Sequence, residues 1–393
     1  MSGAGRSAPA RWIATCARGL EEILEREAAE AGLTLDGRDT GGIAFRGDES
    51  AGVRANWRLR TANRVLLELA SWPAGDDEAL YRGARDLVAP AAGAGAAALP
   101  AALAPAELLR PERTFAITAT TSRSTLRDTR WIALRVKDGI VDAQRERYGR
   151  RASVARERPD LALRVRVRDD RATLLLDTSG EPLDRRGYRV ETTAAPVREQ
   201  LAAAAILASG WRGGGPVVDP MCGSGTLLAE AGALALGLPP NRLRSEWAFE
   251  RLPGFERALF ERVRAEALPC PGPDVRLHGI DRDPAAVAAA ARNLAAAGLT
   301  EHATLRVGDA FASEPPPGPG LLAVNPPYGE RLEEAADQWR RLGDLLKQRY
   351  RGWRAVVLAG GADHGKHLGL KPVRRLPVWN GPLEARILIL DLW

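Results

Sequence analysis

The hydrophobic and polar positions of the chain change their pattern near residue 196. Beyond this point, short apolar runs of the length of buried strands alternate with amphipathic segments such as DPAAVAAAARNLAAAG. The apolar runs lie at residues 216–219, 276–281, 303–309, 321–325, 354–360 and 385–392. This alternation predicts a doubly wound parallel sheet, an α/β fold whose ligands bind at the carboxyl ends of the strands.

Residues 11–180 show a different, α+β rhythm. Strand and helix patterns alternate at first, with strands in RWIATC and GGIAFRG and helices in GLEEILEREAAEAG and SAGVRANWRLRTANRVLLELASW. A strand over 113–123, a helix over 124–149 and two strands joined by a turn over 161–179 follow. We therefore expect a tail over 1–10, an α+β region over 11–180, a connector over 181–195 and the α/β domain over 196–393.

Composition indicates an ordinary globular protein and argues against several kinds of site. Of the 393 residues, 45% are hydrophobic, and no apolar run approaches the ~20 residues that cross a bilayer. The three cysteines (Cys16, Cys222 and Cys270) are scattered and the histidines lack metal-ligand spacing, so neither disulfides nor a metal site are expected. The arginines near the start superficially suit a transit peptide, but strand and helix patterns begin at residue 11, which favours a cytoplasmic protein.

A glycine turn follows the first strand of the predicted α/β domain. In VVDPMCGSGT (217–226), Gly223 and Gly225 let the backbone approach a ligand, and the helix that follows offers unpaired N–H groups. A dinucleotide site would need a third glycine where Leu228 stands, and an acid roughly 20 residues further on. The turn therefore favours a ligand without a pyrophosphate.

Acidic residues at three successive strand ends favour S-adenosylmethionine. Asp219 is placed to hold its ammonium group, Asp281 its ribose diol and Asp309 its adenine amino group. Each acid alone would more simply be a helix cap or a turn residue, so the prediction depends on the presence of all three.

The fourth strand ends in NPPYGERL (325–332), where two prolines fix two φ angles and stop the strand. The amide oxygen of Asn325 and the carbonyl of Pro326 could accept hydrogen bonds from an exocyclic amino group and direct its nitrogen toward a methyl donor. Pro327 would make this geometry rigid, and Tyr328 would stack on the base. Taken alone, the motif is also consistent with a turn that ends a strand and carries a tyrosine at the surface.

Taken together, DPMCGSGTLLAEA, GIDRDP and NPPYGERL resemble the THUMP-domain class I RNA methyltransferases. IATCARGLEEIL, VKDGIVDA, RGYR and WNGPLEARI extend the resemblance over nearly the whole chain, most closely to bacterial enzymes that methylate guanine N2 in 23S ribosomal RNA. The resemblance implies a seven-stranded class I methyltransferase domain preceded by a ferredoxin-like and THUMP region that binds RNA. Many members carry a second methyltransferase domain; because this chain stops at Trp393, the N2-guanine activity alone is expected.

The resemblance also assigns roles to residues. S-adenosylmethionine would bind at the strand ends and the glycine turn, and the NPPY motif would hold the target amino group. The cofactor-binding set is Asp219, Pro220, Cys222, Gly223, Gly225, Thr226, Asp281, Asp309 and Ala310, and the catalytic set is Asn325, Pro326, Pro327 and Tyr328. Cys222 is expected to fill space in the turn and not to act as a nucleophile.

Arginine dominates the positive charge, since the 56 basic residues include only four lysines and the net charge is +6. A compositional bias accounts for the total, so clusters are more informative than the count. We predict RNA binding by Arg123, Arg127, Arg130, Lys137, Arg186 and Arg189, with the second and third of these on one helix face. The alternative is a solvated face with internal ion pairs to Asp128, Asp138 and Asp142.

Other functions stay open at this point. NPPY serves amino methylation of tRNA guanine, adenine N6 or protein glutamine equally well, so the motif does not select ribosomal RNA. A non-catalytic RNA-binding assembly factor with a relic cofactor site is an alternative from another class, and the intact motif positions speak against it. The expected partner is 23S ribosomal RNA, free or in early precursor particles; the oligomeric state is not predicted by the sequence.

Overall fold

The chain forms two seven-stranded sheets in a computed structural model that describes residues 9–89, 99–155, 157–193, 196–327, 332–360, 364–381 and 383–393. The strands of the first sheet are β1 (Ala10–Thr15), β2 (Thr34–Asp39), β3 (Gly42–Gly47), β4 (Arg64–Pro73), β5 (Phe115–Ser122), β6 (Leu161–Arg168) and β7 (Arg171–Asp177). Those of the second sheet are β8 (Pro216–Asp219), β9 (Arg276–Asp281), β10 (Ala303–Val307), β11 (Leu321–Val324), β12 (Arg354–Gly360), β13 (Arg374–Asn380) and β14 (Leu383–Asp391).

Helices cover both sheets and connect most of the strands. Their bounds are α1 (Glu21–Glu30), α2 (Glu49–Arg58), α3 (Asp77–Asp86), α4 (Pro105–Leu108), α5 (Thr129–Tyr148), α6 (Glu199–Ala208), α7 (Thr226–Ala235), α8 (Arg257–Ala265), α9 (Pro284–Ala296) and α10 (Leu332–Arg349). In the parts of the chain that the structure describes, no helix combines the length and the apolar character needed to cross a bilayer.

The first sheet has the strand order β2-β3-β1-β4-β7-β6-β5, so β4 joins the first three strands to the last three. The prediction of a single helix after β3 is wrong, because α2 ends at Arg58 and β4 begins at Arg64. The apolar run of β4 is buried on both faces of the sheet and therefore lacks the alternation of a half-exposed strand. The predicted strand at 113–123 and the strand pair at 161–179 are confirmed. The strand β2 was not expected, because its sequence TLDGRD is largely exposed and carries few apolar residues.

The second sheet has the order β10-β9-β8-β11-β12-β14-β13, with its first five strands parallel. β14 runs antiparallel to β12, and β13 antiparallel to β14. Side chains of β11 alternate between two cores: Leu321 and Ala323 belong to the core that extends under α7, whereas Leu322 and Val324 pack with residues of α10. The predicted α/β fold with helices on both faces is thus confirmed. The edge strand β13 escaped prediction because Pro377 interrupts its pattern.

Buried charges join the first region to α7. Arg60, in the loop between α2 and β4, donates from Nη2 to the carbonyl oxygens of Ala233 (3.3 Å) and Leu238 (2.6 Å). Arg186 donates to the carbonyl oxygen of Arg60 and forms an ion pair of 3.4 Å with Glu230. The side chains of Arg186 and Glu230 are 1% and 2% exposed, so each charge depends on the other for stabilisation. The prediction that Arg186 binds RNA is therefore wrong, since its guanidinium is enclosed by protein.

Replacing Arg186 by Met should destabilise the protein by about 3–5 kcal/mol, because Glu230 would be left buried without its cationic partner. The neighbouring Arg185 offers a matched control, since it is 73% exposed and pairs with Glu181 at the surface. Arg185→Met should cost less than about 1 kcal/mol. Thermal melts of the parent and the two variants check this, and similar melting temperatures for both variants would contradict it.

Candidate active site

The polar residues that follow the strands lie together along one edge of the second sheet, the edge formed by the carboxyl ends of its parallel strands. β10, β9, β8 and β11 are adjacent and parallel, with Asp219 opposite Gly279 of β9. Asp309, Asp281, Asp219 and Asn325 consequently follow neighbouring strand ends in this order. With strands about 4.8 Å apart, the four positions extend over roughly 15 Å. The structure thus brings the three predicted acids and Asn325 into one row that suits a single elongated ligand.

The glycine turn adopts a conformation that favours glycine. Gly223 and Gly225 have φ values of +50° and +79°, in the left-handed region. A Cβ atom on Gly225 would lie 3.1 Å from Cβ of Ala290 in α9. The backbone N–H of Gly223 donates to Oδ2 of Asp281 at 2.9 Å, which holds the turn against the end of β9. Asp281 therefore shapes the turn in addition to any contact with a ligand.

Asp219 is a buried carboxyl group whose surroundings disfavour its charge. Its Oδ1 accepts a hydrogen bond of 3.1 Å from the backbone N–H of Met221, and no cation pairs with it among the described residues. Burial, and to a lesser extent the charge of Asp281, raise the pKa of Asp219 to about 8. A ligand cation next to this carboxyl would favour its ionised form. Burial also raises the pKa of the adjacent Cys222 thiol, which disfavours a nucleophilic thiolate.

Asp309 shapes the far end of the row. It precedes a short 3₁₀ turn, and its Oδ1 accepts a hydrogen bond of 3.0 Å from the N–H of Phe311. The guanidinium of Arg341, from α10, lies 4.1 Å above the ring of Phe311. Its Nη2 is 3.7 Å from Oδ2 of Asp309, and Ala310 is buried. Sequence reasoning missed Phe311 and Arg341; the aromatic residue two positions after the acid was the available signal.

The segment before α6 lies over the glycine turn, where Asn293 of α9 holds it. Oδ1 of Asn293 accepts hydrogen bonds from the N–H groups of Val190 (2.9 Å) and Glu191 (3.0 Å). Its Nδ2 donates to the carbonyl oxygens of Glu191 and Ser224, both at 2.9 Å. Asn293 was missed by sequence reasoning, although an amide on the buried face of the alanine-rich α9 was a signal. It is a positioning residue for the turn.

Arg189 also belongs to this arrangement. Its side chain is 17% exposed and forms an ion pair of 2.9 Å with Glu199 of α6. Nη2 donates to the carbonyl oxygen of Val197 (2.7 Å) and to Oγ1 of Thr226 (3.2 Å), the first residue of α7. These partners direct the Arg189 guanidinium to the glycine turn, and its predicted contact with RNA stays a prediction.

The NPPY motif directly follows β11. Asn325 is half-buried, Pro326 is buried and Pro327 is exposed. Tyr328 lies outside the described residues, so its predicted stacking role stays a prediction. Pro220, which directly follows β8, is buried. The described part of the motif therefore lies beside the acids, at a sheet edge partly open to solvent.

The remaining predicted RNA-binding residues differ in their pairing. Arg123 makes two hydrogen bonds, of 2.8 and 2.7 Å, to Asp169, and Lys137 pairs with Asp138 at 2.5 Å. For these two side chains the alternative of internal ion pairs describes the structure better.

Arg127 and Arg130 are exposed, and the described residues place no carboxylate within ion-pair distance of either. They do not share a helix face as predicted, because Asp128 caps α5 and leaves Arg127 outside the helix. Oδ1 of Asp128 accepts hydrogen bonds from the N–H groups of Arg130 and Trp131. These two arginines are the members of the predicted set that are available to a phosphate. No group of His, Cys, Asp and Glu suited to a metal ion occurs within the described ranges.

Three family models match the chain. The RlmL ferredoxin-like domain matches residues 11–66, the THUMP domain residues 76–177, and the UPF0020: RMKL-like, methyltransferase domain residues 186–388. These matches confirm the resemblance that the sequence motifs indicated.

Curated relatives and a solved structure agree with these models. Ribosomal RNA large subunit methyltransferase K/L of Syntrophotalea carbinolica is 36% identical, over 98% of this chain and 54% of its own length. Slr0064 of Synechocystis sp., described as a candidate RNA methyltransferase, is 35% identical, over 97% of both chains. The structure of SMU.472, a candidate methyltransferase complexed with SAH, has a TM-score of 0.83 at 28% identity and covers 98% of this chain and 99% of its own. The chain spans about half the length of several K/L relatives.

The raised pKa of Asp219 predicts a pH-dependent stability. Below pH ~4 the carboxyl is protonated in both the folded and the unfolded chain, so it has no effect. Between that pH and about 8, the unfolded chain releases the proton and the folded protein retains it, so stability falls as the pH rises. Asp219→Asn should remove this loss of stability. From pH 5 to pH 8.5, the melting temperature of the variant should therefore rise relative to that of the parent.

Thermal melts at the two pH values measure this difference. Asp337→Asn, a substitution at an exposed position of α10, is the control and should follow the parent at both. A constant difference between Asp219→Asn and the parent across this range would contradict the assignment.

Proposed function

Because the chain belongs to the RMKL-like methyltransferase family, we propose that it methylates the N2 amino group of a guanine in 23S ribosomal RNA. Its methyl donor is S-adenosylmethionine, and its RNA-binding part is the region that carries the ferredoxin-like and THUMP domains. The observation that carries the proposal is the row of Asp309, Asp281, Asp219 and Asn325 at adjacent strand ends.

The residues present suit this cofactor. When bound, S-adenosylmethionine supplies an electrophilic methyl group on a sulfonium. Asp219 is a buried carboxyl without a cationic partner among the described residues, which fits an ammonium group. Each carboxylate oxygen of Asp281 accepts one backbone N–H, from Gly223 or Asp283, and retains lone pairs for the two ribose hydroxyls. Asp309 would accept a hydrogen bond from the adenine amino group.

Asn325 would act on the target base. The lone pair of an exocyclic amino group is delocalised into the ring, which makes its nitrogen a poor nucleophile. The amide oxygen of Asn325 and the carbonyl oxygen of Pro326 would accept its two N–H bonds and direct the nitrogen lone pair toward the methyl group. Rigid prolines keep these acceptors in place before the reaction, so little reorganisation is needed in the transition state.

Product analysis tests the proposed target. The protein is incubated with a 23S ribosomal RNA fragment and methyl-labelled S-adenosylmethionine, and the digested nucleosides are separated by mass spectrometry. We expect N2-methylguanosine. Label in N6-methyladenosine, or transfer to tRNA in place of the ribosomal fragment, would support a different amino group as the substrate. Failure to bind S-adenosylmethionine in calorimetry would favour the non-catalytic assembly factor.

Asn325→Ala should reduce single-turnover methyl transfer by about two to four powers of ten, because one preorganised acceptor in the transition state is lost. Cofactor affinity and melting temperature should stay close to those of the parent. Asn325→Asp is the matched variant; it keeps an acceptor oxygen and should retain part of the rate. Transfer at the parent rate by Asn325→Ala would show that this amide does not position the amino group.

Asp281→Ala should weaken the binding of S-adenosylmethionine by about 1–3 kcal/mol, since hydrogen bonds to a charged group are lost. Asp283→Ala is the control, because Asp283 is exposed and caps α9 through the N–H of Ala285. It should reduce stability by about 1 kcal/mol and leave cofactor affinity unchanged. Titration calorimetry distinguishes the two, and the reverse result would identify Asp283 as the ribose acid.

A further inference from the structure

A cleft of about 400 Å³ lies between the first region and the methyltransferase domain. It is lined by residues of the loop after β1, the loop before β4, the start of α6 and the end of β13, among them Arg18, Asn63, Arg198, Gln200 and Trp379. Two contacts join the first region to β13 beside the cleft. The N–H of Trp379 donates to the carbonyl oxygen of Arg18 at 3.0 Å, and Arg374 pairs with Glu22 of α1 at 2.7 Å.

The cleft opens at the same sheet edge as the NPPY motif. Val324, the residue before Asn325, pairs with Val357 of β12. Three residues further along β12, Gly360 pairs with Ala385 near the start of β14. The start of β14 at Leu383 therefore extends past the carboxyl end of β12, two strands away from Asn325. A nucleic acid strand that enters the active site can reach the start of β14 along the same side of the sheet.

The chemistry of the cleft suits a nucleotide. The Arg18 guanidinium is stacked 4.3 Å above the ring of Trp379, which holds its N–H groups in a defined plane. Arg198 stands at the N-terminus of α6, where the helix dipole favours an anion. Both arginines are exposed, and the described residues place no carboxylate within ion-pair distance of either. Many other arginines of the chain are neutralised by a neighbouring acid.

A buried amide in the lining provides a second, independent observation. Gln200 is 1% exposed, and its Nε2 donates to Oδ1 of Asn63 at 3.0 Å. Its Oε1 has no hydrogen-bond partner among the described residues. An unsatisfied buried acceptor costs free energy unless a ligand donates to it. A ribose 2′-hydroxyl or a base amino group would be such a donor.

We propose that this cleft binds a nucleotide of the RNA strand that flanks the target base, with its phosphate against Arg18 and Arg198 and a donor group on Gln200. The inference rests on the proposed RNA methylation and deepens it. The first region then forms part of the substrate site. RNA would contact this region at two places, one far from the reacting nucleotide and one next to it.

The test compares Arg18→Gln, Arg198→Gln, their combination and Gln200→Met with the parent. Arg262→Gln is the matched control, since Arg262 of α8 is exposed, lies outside the cleft and has no ion-pair partner in the described part of the chain. Affinity for the 23S fragment is measured by fluorescence anisotropy over a range of salt concentrations. Affinity for S-adenosylmethionine is measured by calorimetry, and folding by thermal melts.

The double arginine variant should bind the fragment about tenfold or more weakly, and the slope of log affinity against log salt should fall by about 0.7–0.9, the value for one lost phosphate contact. Gln200→Met should lose affinity severalfold with an unchanged salt slope. Cofactor affinity should stay within about twofold for every variant, and Arg262→Gln should match the parent.

Three results would overturn the inference, and they differ in what else they affect. Parent-like RNA affinity and salt slope in the double variant would remove the cleft site and leave the proposed methylation intact. A parallel loss of cofactor affinity would show that the cleft belongs to the cofactor site. If the parent protein neither transferred a methyl group nor bound the 23S fragment, both proposals would be wrong.

Discussion

Arg186, in the connector between the two regions, forms an ion pair with Glu230 of α7 and bonds Arg60 of the first region, where water does not reach the side chains of Arg186 and Glu230. Around them, Tyr188 donates to Glu230 at 3.0 Å, and Arg60 bonds the carbonyl oxygens at the end of α7. Glu27 accepts hydrogen bonds from the backbone N–H groups of Arg60 and Thr61. Charges in such surroundings are stable only when every partner is in place. The relative position of the two sheets therefore depends on this network.

The same segment of backbone that carries Arg186 also reaches the glycine turn. Arg189 bonds Thr226 at the start of α7, and Glu191 bonds Asn293 of α9. A displacement of the first region would move Arg186. Through the few residues that follow Arg186, it would also move the segment that lies over the glycine turn. The ion-pair network thus sets the position of the RNA-binding region and the shape of the turn together. This coupling is a reason for placing a costly buried pair at the junction.

Much of the second domain could be predicted from the sequence because its signals are local. A buried parallel strand is a continuous apolar run, and the acid or amide at its end marks the ligand edge, as Asp219, Asp281 and Asn325 illustrate. These signals mark the strand ends without any knowledge of the strand order. The helix starting at Pro284 was likewise evident from the amphipathic pattern of DPAAVAAAARNLAAAG, and the structure shows that Asp283 caps it and Pro284 is its first residue.

What the sequence did not reveal are interactions between distant parts of the chain. Arg186 and Arg189 look like surface cations in RRGYR, and their acids, Glu230 and Glu199, lie on helices that only the folded chain brings near. β2 and β13 are edge strands, whose residues need not be apolar because one side of each strand faces no neighbour. Asn293 and Arg341 act through contacts across helices, which no spacing along the chain encodes.

The arginine-rich composition has a consequence for RNA binding that only the pairing of side chains reveals. Most arginines of the first sheet are matched with acids, as Arg11 is with Asp36 and Glu68, and a paired guanidinium attracts a phosphate less than a free one does. Binding strength is therefore determined by the cations that have no acid beside them, and not by the total of 56 basic residues. Arg127 and Arg130 lie at the start of α5, whereas Arg18 and Arg198 lie at the edge where the reaction would occur. A chain with these two separate sites can bind RNA through its first region and still determine which nucleotide reaches Asn325.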